Sequence, residues 1–246
     1  MLRKIAWSWR GLSLGVFLCL VWACQGPQPA GAPGKDVFQG ENIYKQKTET
    51  PPPADFLGPQ STRATGEQHV LVVAVRFPDV APRVPLERIR RRVTAELNDY
   101  VRAQSYGLAW VTTDFVGWVS LPDPISAYRI SSNNFEVDRG RVRKLVEDAM
   151  TAVEDRVDFK RYRNMLIVPG AVTLPGKGYG MMCYCANPGM LTGVRGNPRF
   201  VTLRSKGGRE FSGGVFVGTE NSPLGVFAHD FFHALGGVYA DKRLVP

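Results

Sequence analysis

The segment "HVLVVAVRFPD" (residues 69–79) constrains the fold more than any other part of the chain. Val70 to Val75 is an uninterrupted apolar run, closed by Phe77-Pro78-Asp79, and it reads as a buried strand followed by a turn. The period then changes. Leu86, Ile89, Val93, Leu97 and Val101 recur at steps of three and four, which makes one apolar stripe on a helix, and Gly107 is placed to end it. "LAWVTTDFVGWVSLP" returns to β-branched and aromatic residues, the mark of a strand. A second amphipathic helix is expected at about 138–153, with Val142, Leu145, Val146, Ala149 and Val153 on one face. "NMLIVPGA" is a further buried strand, and "RFVTLRS" and "GGVFVG" are short strand candidates. Strands alternating with helices, with no internal repeat, predict one α/β (α+β) domain over residues 67–246.

What precedes that domain is of a different kind. Residues 1–24 combine a basic start, "MLRKIAWSWR", with the 13-residue apolar run "GLSLGVFLCLVWA". The run is short for a membrane span and right for an export signal. It ends in "LVWAC", which resembles a bacterial lipobox, so Cys24 is the expected lipidation site. An exported envelope lipoprotein or a secreted protein is therefore expected, with membrane association only through that lipid. Residues 25–66 hold seven of the 18 prolines and no apolar period, and read as a flexible linker. Without the signal, 28 basic residues face 22 acidic ones, a balance of +6 that favours acidic surfaces in general. The cluster Arg88, Arg90, Arg91 and Arg92 falls on the polar side of the first helix and reads as a solvated face, so no nucleic-acid partner is expected. In "MMCYC", Cys183 and Cys185 are too close for an easy mutual disulfide.

Chemistry concentrates near the end of the chain. In "NSPLGVFAHDFFHALGG", Ser222 is placed to cap a helix, Pro223 suits its first position, and Gly236 or Gly237 can end it. His229 and His233 then lie one turn apart on one face, where both imidazoles can reach one metal ion. Asp230 sits beside the first histidine, where H-E-x-x-H enzymes carry the glutamate that takes a proton from metal-activated water. His69, the third histidine, falls at a strand end and reads as a surface residue.

"HVLVVAVRFPD", "YVRAQSYG", "GWVSLP" with Tyr128, "VDF" at 157–159 and "GVFAHDFFHALGG" resemble, in order, blocks of the immune inhibitor A family of secreted bacterial zinc metallopeptidases. The resemblance implies a metzincin-like domain: a twisted mixed sheet, long helices, and an active-site helix carrying both histidines under a substrate cleft. It implies Zn2+ held by His229 and His233, Asp230 as the base, and hydrolysis of peptide bonds in extracellular or envelope proteins. Two departures stand out. Aspartate is one methylene shorter than glutamate, which withdraws the carboxylate by about an ångström, and errors of that size cost about a hundredfold in rate. Where the family carries a third ligand, ten residues after the first histidine, this chain has Tyr239, leaving Asp241 as the substitute. The segment that would close the floor of the site is expected to be missing after Pro246. A catalytically inactive relative, serving as a surface binding module, is the alternative expectation.

Overall fold

The computed structural model describes residues 63–128, 138–173, 184–189, 191, 200–235, 238–239 and 242–243. The signal segment with Cys24, the linker up to residue 62, Cys183, Gly236, Gly237 and Asp241 lie outside the described residues.

Strand β1 (Gly66–Arg76) is the centre of assembly. It pairs in parallel with β2 (Ala109–Ser120) on one side and with β3 (Asn164–Pro169) on the other. β3 pairs in parallel with β7 (Gly214–Val217), and β4 (Tyr184–Asn187) closes the sheet antiparallel to β7. The order is β2-β1-β3-β7-β4, so the chain steps one way from β1 to β2 and the other way from β2 to β3. Right-handed crossovers in opposite directions put their helices on opposite faces of the sheet. The packing follows that rule. Leu71, Val73 and Val75 pack with Val142, Leu145, Val146 and Ala149 of α3 (Arg139–Thr151). Val70 and Val72 pack with Ile89, Val93, Leu97 and Val101 of the first crossover. A strand covered on both faces has no room for a polar side chain, which explains the unbroken apolar run.

That first crossover is a continuous helical stretch: α1 (Leu86–Arg91), a π-helical segment (Arg92–Glu96) and α2 (Leu97–Gln104). The sequence explains the π segment. Residues 89, 93, 97 and 101 repeat every four, and in a 3.6-residue helix each such step drifts by about 40°. A wider turn takes up the drift and keeps all four side chains buried. Tyr106 and Gly107 follow at φ 53° and 79°, so the glycine ends the helix as expected.

The second helix spans Arg139–Thr151, close to the expected bounds, and the Asp138 side chain caps it by accepting from the Arg141 N–H. "RFVTLRS" departs from it. Only Leu203–Arg204 (β5) forms a strand, paired with Glu210–Phe211 (β6) across a turn and joined by an Arg204–Glu210 ion pair. A second two-residue hairpin joins β8 (Val238–Tyr239) to β9 (Lys242–Arg243). The architecture is mixed α/β: a mixed sheet carrying helices on both faces. Among the described residues no helix is long and apolar enough to cross a membrane.

Helix α4 (Leu224–Ala234) lies on the same face as α1 and α2, with Phe227, Phe231 and Ala234 buried against Phe216 of β7. Its last turn comes so close to β7 that a Cβ at Gly214 would overlap the Ala234 carbonyl and the Asn164 side chain. Gly214→Ala is therefore expected to cost about 1–3 kcal/mol, read by urea unfolding, because both neighbours are held by the fold and cannot yield cheaply.

Candidate metal centre

Contrary to the capping pattern expected from "NSP", Ser222 does not cap α4. The helix begins at Leu224 with Pro223, which has no side-chain acceptor to offer, in the capping position. The Ser222 hydroxyl instead bonds Thr219 Oγ1 at 3.0 Å.

The entry to α4 is held from a distance. Glu220, 0% exposed, takes the Arg83 N–H on both carboxylate oxygens and the Val84 N–H on Oε2, each at 3.0 Å. Arg92, at the start of the π segment, donates to the Ser222 carbonyl at 2.7 Å and the Glu220 carbonyl at 3.4 Å. Two separate segments thus converge on the turn before α4. The arginine cluster is therefore not a uniformly solvated face. Arg88, Arg90 and Arg91 are exposed, but Arg92 is half-buried and bonded into this junction. Neither role was visible in the sequence, because Glu220 and Arg92 are 128 positions apart and neither belongs to a local pattern.

On α4 itself the face opposite the core carries the histidines. His229 is exposed and His233 half-buried. Their rings meet edge to face with centroids 4.6 Å apart, and the two Nε2 atoms are 3.1 Å apart. Two ligand nitrogens at about 2.05 Å from a tetrahedral zinc lie about 3.3 Å apart, so this spacing suits a shared ion with little adjustment. Among the described residues no group of three His, Cys, Asp or Glu side chains forms a metal cage. The pair offers two ligands, and Asp241 lies outside the described residues. Tyr239 lies in the β8–β9 hairpin that follows the helix.

Asp230 sits at the edge of the buried arc of α4, about 60° around the helix from His233 and about 100° from His229. Its side chain is 4% exposed, and its Oδ2 has no hydrogen-bond partner among the described residues. Burial pushes the carboxyl up to about 7, because desolvation disfavours its charged form. On the other flank of the histidines, Phe232 packs against Tyr100 of α2 with ring centroids 6.4 Å apart.

The remaining residues singled out in the sequence fall elsewhere. His69 is half-buried between two acceptors: Nδ1 lies 3.1 Å from the Arg161 carbonyl and Nε2 lies 3.3 Å from Asp114 Oδ2. It stacks on Tyr162, far along the chain from α4. Cys185 is buried on the α4 face of the sheet in the same core cluster as Phe216. Tyr128 is buried and donates to Asp148, which Lys144 also bonds at 2.7 Å, so it ties a loop to α3.

No protein-family model matches the chain, and no curated protein is detectably similar to it.

Proposed function

We propose that the chain is a metallopeptidase-like protein with a metzincin-like arrangement, in which His229 and His233 supply two ligands to a zinc ion. The observation that carries this reading is the 3.1 Å separation of the two Nε2 atoms on the solvent side of a helix whose opposite face is fixed in the core. Zinc bound there would polarise a scissile carbonyl and acidify a water molecule. The chain's own part is to hold the two imidazoles in register, through the packing of Phe227 and Phe231 and the anchoring of residues 220–222. Asp230 would accept the proton of the attacking water, and its burial supports that role by making the carboxylate a stronger base than an exposed one. A mixed sheet with a histidine-bearing helix packed on one face is in keeping with the metzincin-like arrangement. Export with a lipid on Cys24 belongs to the same reading, and its substrate is protein or peptide outside the cell.

A second reading is an inactive binding module of the same shape. The 4% exposure of Asp230 favours it, because a base must reach its proton within roughly 2.6–3.2 Å. Zinc content decides the first question. The purified chain is expected to retain about one zinc per molecule after dialysis, and His233→Ala is expected to lose it. Wild-type protein free of zinc after reloading would end the metal-centre reading.

A further inference from the structure

Among the described residues, the large apolar side chains that stand exposed are Tyr100, Tyr106, Leu108 and Trp110, all between positions 100 and 110. Three of them crowd the turn from α2 into β2: Tyr106 is 66% exposed, Leu108 43% and Trp110 38%. Tyr106 holds φ 53°, a left-handed backbone that strains a bulky side chain and that asparagine or glycine would adopt more easily.

The backbone behind these side chains is already satisfied. β2 lies at one edge of the sheet, but its first outward groups are taken. The Ala109 N–H donates to Ser105 Oγ at 3.0 Å, the Ser105 hydroxyl donates to the Ala109 carbonyl at 3.1 Å, and the Val111 N–H donates to Asn98 Oδ1 at 2.9 Å. The N–H groups of Tyr106, Gly107 and Leu108 donate to the carbonyls of Ala103, Arg102 and Ser105. A second chain adding here as a strand would find those groups occupied. A lipid interface asks the opposite of a surface: apolar side chains on a backbone that needs no partner. Tyrosine and tryptophan suit it, having one apolar end and one wet end.

Charge points the same way. Residues 83–110, the crossover that ends in this turn, carry six arginines against three acids. Glu87 pairs with Arg90 and Glu96 with Arg91, while the exposed Arg88 and Arg102 form no ion pair among the described residues. Attraction to an anionic surface acts through the field of such charges and needs no fixed guanidinium geometry.

We propose that this turn is a membrane-contact site, in which Tyr106, Leu108 and Trp110 enter the interface of an anionic lipid bilayer beneath the arginines of the crossover. The contact is separate from the lipid proposed on Cys24 and independent of the metal-centre reading. The Gly66 N–H bonds the Leu108 carbonyl at 2.8 Å, so the segment that carries Cys24 joins the domain beside the turn.

Amide hydrogen exchange of the full chain, with and without vesicles, tests it. Exchange is read segment by segment, so attachment through the apolar run at residues 11–23 does not imitate the result. Phosphatidylcholine vesicles with about one third phosphatidylglycerol are expected to slow exchange at residues 103–110 by about tenfold, and pure phosphatidylcholine vesicles by less than about twofold. Leu108→Ser combined with Trp110→Ser is expected to remove most of the slowing, and Arg102→Glu about half of it. Tyr106→Asn separates contact from structure: asparagine accepts the left-handed backbone, so the urea midpoint should hold or rise while the slowing falls. Unchanged exchange at 103–110 on the anionic vesicles would overturn the proposal, as would equal slowing on neutral ones. Slowing that grows with protein concentration in the absence of lipid, with a doubled mass in light scattering, would overturn it in favour of a second copy of the chain.

Discussion

Glu220→Ala is expected to lower the free energy of unfolding by about 3 kcal/mol, with a fall in midpoint and little change in slope in urea. The buried carboxylate takes two backbone N–H groups, Arg83 and Val84, through three contacts of 3.0 Å. Alanine leaves both donors without their partner at a half-buried site, and each orphaned group costs about 1–3 kcal/mol. Glu220→Gln is expected to recover only part of the loss. One amide oxygen can still accept, but the NH2 group faces a backbone donor. The effect should also reach the histidines. The turn at 220–222 is what Arg92 and the 79–85 loop grip, and α4 starts two residues later. Zinc retention should therefore fall in Glu220→Ala even where the protein remains folded. Destabilisation below about 1 kcal/mol would show that water replaces the carboxylate.

The contrast between Glu220 and the histidines shows what could be read from the sequence. His229 and His233 are four apart on a helix whose remaining positions are apolar, so local geometry alone puts them on one face. The strands and both crossover helices were legible for the same reason. Val70–Val75 and the 89/93/97/101 stripe are periodic signals, and burial enforces them. The π segment was not legible as such, although the strict four-residue step contains its cause. Glu220 and Arg92 carry no periodic mark. Their roles come from contacts made by segments about a hundred residues apart, which no spacing rule registers. Helix α4 starts one residue later than expected because Ser-Pro fits two capping registers. In the fold the serine hydroxyl is already engaged by Thr219. The strand at 203–204 is shorter than its apolar content suggests, because the turn containing Gly208, at φ 81°, ends the pairing.

Asp230→Asn is expected to move stability and activity in opposite directions. The folded protein holds the Asp230 carboxyl at about 7, above its unfolded value near 4, so the native state binds this proton more tightly. For an acid with a raised value the sign is the reverse of the usual aspartate case. The carboxyl imposes no penalty below about pH 4, a growing one between about 4 and 7, and its full penalty above about 7. In metal-stripped protein at pH 8, the asparagine side chain removes the buried charge but leaves a buried amide to satisfy, for a net gain of about 2 kcal/mol. At pH 4 the two proteins should be nearly equal. If zinc is bound and peptides are cleaved, the same substitution removes the proton acceptor, and hydrolysis should fall by about a hundredfold or more. Urea unfolding at the two pH values, run beside a peptide-cleavage assay, separates the roles. A stability difference that does not grow with pH would mean the carboxyl finds a partner in solution. Undiminished hydrolysis in the asparagine variant would exclude Asp230 as the base. A gain in stability at pH 8 together with a loss of cleavage would identify an ionised carboxyl that the fold tolerates at a cost and the chemistry needs.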